Sequence, residues 1–125
     1  MELMEPGAIL PAGTLVLDNT VDVAAQAAQI RSHAVVALHF PKWTDGRAYS
    51  QAVLLRGRLR YAGTVVATGE VLADMLPLLR RCGFDAVQLR ADQSPQTALR
   101  ALGLMPSPYQ GDATGRRPPC AQAVA

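Results

Sequence analysis

The chain of 125 residues predicts an α/β protein built on a parallel sheet, from two observations. Short apolar runs rich in β-branched residues alternate with longer runs of helical character, four times in succession. Each strand-like run leads straight into its helix, and parallel strands need such crossovers, which wind right-handed.

In the first unit "TLVLD" (14–18) is a short strand ending at Asp18-Asn19, and the alanine-rich "VDVAAQAAQIRS" (21–32) is a helix. In the second, "AVVALHF" (34–40) is an apolar strand, followed by the polar loop "PKWTDGRAYS" (41–50). The helix "YSQAVLLRGRL" then runs on, with Ala48, Ala52, Leu55 and Leu59 on one face. The third unit is "TVVAT" (64–68) with "EVLADMLPLLRRCG" (70–83), closed by Arg80 and Arg81 at the helix end and by Gly83 as a left-handed cap. Pro77 lies inside that helix and removes a backbone hydrogen bond, which predicts a kink or a restart there. The fourth is "DAVQLR" (85–90) with "SPQTALRALG" (94–103), where Ser94 is the N-cap, Pro95 the first helical residue and Gly103 the stop.

Two architectures satisfy this order: an open sheet covered on both faces, or a half-barrel with its four helices outside. The half-barrel leaves apolar strand faces and sheet edges uncovered and calls for a partner, so a homodimer is expected with it. Residues 1–104 form one α/β domain, long enough to bury a core without disulfides or metal. From residue 105 the text "MPSPYQGDATGRRPPCAQAVA" predicts a disordered tail (105–125), with Tyr109 a point of attachment and Arg116-Arg117 solvated.

Half the residues are hydrophobic and 18% are charged, which is globular rather than disordered composition. A net charge of +2 falls short of a concentrated nucleic-acid footprint, so no nucleic acid is expected as partner. Cys82 and Cys120 are too few for a zinc or iron–sulfur site, and no metal is expected. The start "MELMEPGAIL" has neither a basic nor a long apolar targeting region, and no apolar run approaches the roughly 18 residues of a membrane span. No membrane association is expected, and the cytoplasm is the expected compartment.

Ligands in parallel α/β folds bind beyond the carboxyl ends of strands, and the loop 41–50 is the longest at that edge. Lys42 is the only lysine of the chain; with Arg47, Ser50 and the helix N-terminus that follows, it makes an anion-holding set. A structural account competes with that one: Thr44 or Asp45 caps the helix, Gly46 permits the turn, Tyr49 packs, and Lys42 and Arg47 are solvated. Arg56 joins these seven residues as a candidate for anion or partner binding. With Arg58 and Arg60 it forms a solvent-facing basic run that, together with Arg80 and Arg81, suits an acidic protein.

No phosphate-loop, dinucleotide or G-x-S-x-G motif is present, and His33 and His39 make no nucleophile–base pair. Cys82 reads as a half-buried structural thiol, His39 as a packed or edge-exposed strand residue, and Glu70 with Asp74 as a solvated helix face. No catalytic residue is assigned, and the cofactor is unknown.

From His39 to Leu89, through "FPKWTDGRAYS", "LLRGRL", "TGEVLADM" and "RRCGFDA", the chain resembles a proteobacterial family of unknown function encoded beside sulfite reductase and phosphoadenylylsulfate reductase genes. Members of that family are often labelled oxidoreductases of sulfite reduction, on the strength of gene neighbourhood. The resemblance implies a cytoplasmic protein of assimilatory sulfur metabolism, with "FPKWTDGR" as the family hallmark and no catalytic residue to carry over. The chain departs from the family's pattern at His39, where an acidic residue is common, at Pro77, and at Arg60, where glycine is frequent. Two functions are therefore expected: an accessory protein that docks on sulfite reductase or aids electron delivery to it, or a small anion-binding enzyme or module using the Lys42–Ser50 loop.

Overall fold

The structure, a computed structural model, describes residues 1–103. The predicted tail, with Tyr109, Arg116, Arg117 and Cys120, lies outside the described residues. Five strands, β1 (Glu2–Met4), β2 (Leu15–Leu17), β3 (Val35–Phe40), β4 (Thr64–Gly69) and β5 (Ala86–Gln88), form one all-parallel sheet in the order β1-β5-β4-β3-β2. Helices α1 (Ala27–Arg31), α2 (Arg47–Gly57), α3 (Leu76–Cys82) and α4 (Pro95–Ala101) follow β2, β3, β4 and β5 in turn. The α/β class holds, and the sheet is open.

From β2 to β5 every step moves one strand in the same direction, so right-handed crossovers bring successive helices to one face. The main core is built there. Val36, Leu38 and Phe40 of β3 and Val65 and Ala67 of β4 pack with Ile30, Ala52, Leu55, Leu76 and Leu79 of the helices. Strand residues of the other parity point away and form a smaller cluster, Ala37, Val66 and Ala86.

That second face is not bare. β1 and β2 are opposite edges, so residues 5–14 must cross the sheet, a span of about 19 Å that ten extended residues cover easily. Met4 and Leu10 pack on the small cluster, and the Gln88 side chain donates to the Ala8 carbonyl at 2.6 Å. The expected uncovered face is thus closed at its centre by the chain itself. The sheet supplies no need for a second copy there.

Three elements differ from their expected extents. Residues 21–26 are irregular and then turn rather than helix: the Asp22 carboxylate accepts from Ala24 N and its carbonyl from Ala25 N, a local alternative to helical bonding. The third helix restarts as Pro77 predicts. A single 3-10 turn, Ala73–Met75, gives way to α3 with the proline in its first turn, where no donor is missed. Val71 N bonds back to the Gly69 carbonyl, so Glu70 and Asp74 are not a shared helix face. The caps hold as expected: Gly83 is left-handed at φ 108°, and Ser94 accepts from Thr97 N.

Candidate functional site

Phe40, fully buried at the end of β3, anchors the loop that follows. The Tyr49 ring meets it edge-on at 5.1 Å and Phe84 backs it at 6.0 Å. Next to it Gly69 turns at φ 91°, where an added Cβ would strike the Phe40 carbonyl and the His39 ring. Only glycine fits both that conformation and that approach. The turn lets Glu70 N bond to the Phe40 carbonyl at 2.8 Å, and the Glu70 carboxylate accepts from Trp43 N at 3.2 Å. The loop after β3 is thereby tied to the end of β4.

Its other tie is Asp45. The carboxylate accepts from the buried Asn19 side chain at 2.8 Å, from Arg47 N at 3.1 Å, and from the Arg47 guanidinium at 2.7 Å. Chiefly through those Arg47 bonds, its pKa lies far below the usual carboxylate range, and that of Arg47 is raised in turn. The expected cap is corrected in detail: Gly46 holds the N-cap position and Asp45, one residue before it, satisfies the first helical N–H. Gln51, which the sequence does not single out, fixes the neighbouring loop by donating to the Asp18 and Val21 carbonyls at 2.8 and 3.0 Å.

Lys42, Thr44 and Ser50 are exposed and make no side-chain hydrogen bond among the described residues, while Tyr49 is half-buried and packs as the structural account has it. Burial, and then the neighbouring Cys82, push the Tyr49 phenol up; burial raises the half-buried Cys82 thiol too, against the pull of Arg81. His39 sits on interior strand β3, on the second face, with Nδ1 3.4 Å from the Thr68 hydroxyl. The structure thus brings Asp45, Gly46, Arg47 and Tyr49 into one braced loop, and Trp43, absent from the candidate set, lies in the same loop with 53% of its surface exposed. Arg90 extends the edge, bound to Asp92 at 2.6 Å and 3.9 Å from Glu70.

Arg56 does not belong to this group. It lies nine residues along α2 from Arg47, about 14 Å away along the helix axis. Its expected solvent-facing role is also corrected: only 24% exposed, it bonds the Tyr61, Gly63 and Gly83 carbonyls at 2.8–2.9 Å and pairs with Asp85, whose carboxylate also accepts from Val65 N. It clasps the end of α2 to the starts of β4 and β5.

Among the described residues no three His, Cys, Asp or Glu side chains gather as a metal site, and no helix is long and apolar enough to cross a membrane. Residues 14–120 match the family model described as "Bacterial protein of unknown function (DUF934)", and the chain belongs to that family. No curated protein and no solved structure matches it.

Proposed function

From membership of a bacterial family without a known activity, we propose that the protein is an accessory docking factor. Its carboxyl edge binds a larger partner, and sulfite reductase is the partner that the sulfur-assimilation resemblance implies. The supporting observation is the braced loop at that edge. Glu70 holds the Trp43 backbone, while Asp45 and Asn19 hold the turn beyond it, so an exposed indole is presented on a fixed support. Tryptophan is among the residues enriched at the energetic centres of protein interfaces. On this reading the protein works in the cytoplasm and supports the reductase without carrying out the oxidoreductase chemistry itself.

The alternative, an anion-binding enzyme or module, finds Lys42 exposed, but the loop's second cation, Arg47, is already engaged with both carboxylate oxygens of Asp45. Sedimentation of the purified protein with sulfite reductase, against a Trp43→Ala control, tests the choice. A complex that the substitution weakens at least about tenfold supports docking. No complex, together with saturable binding of sulfite, sulfate or phosphate that Arg47→Ala abolishes, transfers the function to the anion reading.

A further inference from the structure

Parallel topology sends the first three helices back toward the amino end of the sheet, and charge is sorted along that axis. At the carboxyl edge Lys42, Arg47 and Arg90 stand among Asp18, Asp22, Asp45, Glu70 and Asp92, and the Arg47 and Arg90 pairs have formed. At the amino end are Arg31, Arg56, Arg58, Arg60, Arg80 and Arg81. Two contacts draw them together: Arg56 Nε reaches the Gly83 carbonyl at 2.9 Å, joining the ends of α2 and α3, and Arg31 reaches the Leu59 carbonyl at 3.1 Å, joining the end of α1. The acids at this end are Asp85, already engaged by Arg56, and Glu2 on the edge strand.

A cation in the last turn of each helix is favourable to the helix itself, which accounts for one arginine apiece. It does not account for Arg58, Arg60 and the second member of Arg80-Arg81, none of which forms an ion pair among the described residues. Arg60 is held at φ 55°, a left-handed conformation that is strained for a side-chain-bearing residue and suits glycine. All six cations are arginines, whose planar forks match carboxylates two bonds at a time.

We propose that this amino end is a second docking surface, for an acidic patch on a protein, separate from the Trp43 edge and independent of whether sulfite reductase binds there. A compact acidic patch engages the arginines without approaching the acidic edge. An extended polyanion gains little beyond the footprint from a chain whose net charge is only +2.

The test is an NMR titration of isotope-labelled protein with a peptide of alternating aspartate and glutamate, beside a short DNA duplex of equal charge. The expected result is shifts confined to residues 58–63 and 80–84 and an affinity that Arg58→Glu with Arg81→Glu lowers about tenfold or more, while Lys42→Glu leaves it unchanged. Both substituted arginines are exposed, and the same spectra report whether the fold survives; Arg58→Gln with Arg81→Gln replaces the reversal if it does not. An absent titration, or equal losses from the two ends, overturns the proposal. Tighter binding of the duplex overturns it in favour of nucleic acid.

Discussion

At the first turn of α2 the Arg47 side chain is 62% exposed and pairs with an aspartate two residues away, whereas at the last turn Arg56 is 24% exposed and reaches Gly83 and Asp85, distant in sequence. The first pair organises one turn of chain and stays in water, where such pairs contribute little to stability. The second satisfies three carbonyls and a carboxylate in a partly dry seam, and losing one partner would strand the rest. Two arginines on one helix thus serve different ends: one shapes a surface, the other holds the fold.

The sharpest way to break that comparison is to remove each guanidinium. Arg56→Ala is expected to lower stability by about 3 kcal/mol in urea unfolding, because Asp85 is left half-buried and unpaired. Arg47→Ala is expected to cost far less, since its pair stays in water. Equal losses would mean that the two ends do not differ as their geometry says. On the docking proposal Trp43→Ala comes next: a loss of about tenfold or more in partner affinity with little change in melting temperature, since the ring is half exposed. A collapse in stability instead would recast Trp43 as part of the core.

Smaller effects sharpen the contrast. Arg60→Gly relieves a left-handed backbone at the amino end and should raise stability, by less than about 1 kcal/mol because glycine also gains freedom when unfolded. A lower unfolding midpoint would refute the strain. At the carboxyl edge the Asp45 carboxyl is depressed below its ordinary pKa of about 3.9, so its contribution is complete above that pH and fades as pH falls through the folded value. Asp45→Asn should therefore be less stable than the wild type at neutral pH and converge with it in acid melts; a constant gap would mean that the ionised form is not what Arg47 and Asn19 hold.

The strand–helix rhythm and the cap residues were legible because Gly83, Ser94 and Pro95 act within a few residues of themselves. The proline restart was legible for the same reason. β1 was not: "ELM" is three residues with no β-branched side chain, and it becomes a strand only by pairing with β5. Alanine propensity alone predicts a longer first helix than forms, because the Asp22 side chain competes for the backbone at its start. In the site, the loop's position after β3 could be read from the sequence, while the Glu70–Trp43 and Asn19–Asp45 ties join segments that only the sheet places side by side. Arg56 differs from its expected role on the same ground, since an arginine at a helix end is solvated unless a distant residue such as Asp85 faces it.

Glu2–Met4 leaves the ribosome long before Ala86–Gln88, the one strand it pairs with. The strands from β2 to β5 can assemble each onto its predecessor as they emerge, while β1 must wait for a closure that spans the whole described domain. Until then β5 shows an open edge, and Leu10 has not yet been laid over Ala37, Val66 and Ala86. Glu2–Met4, made before the strands they complete, are therefore the last to be docked, and a bulky group attached ahead of Glu2 should act on that closing step while leaving the nucleation of the helix-covered core alone.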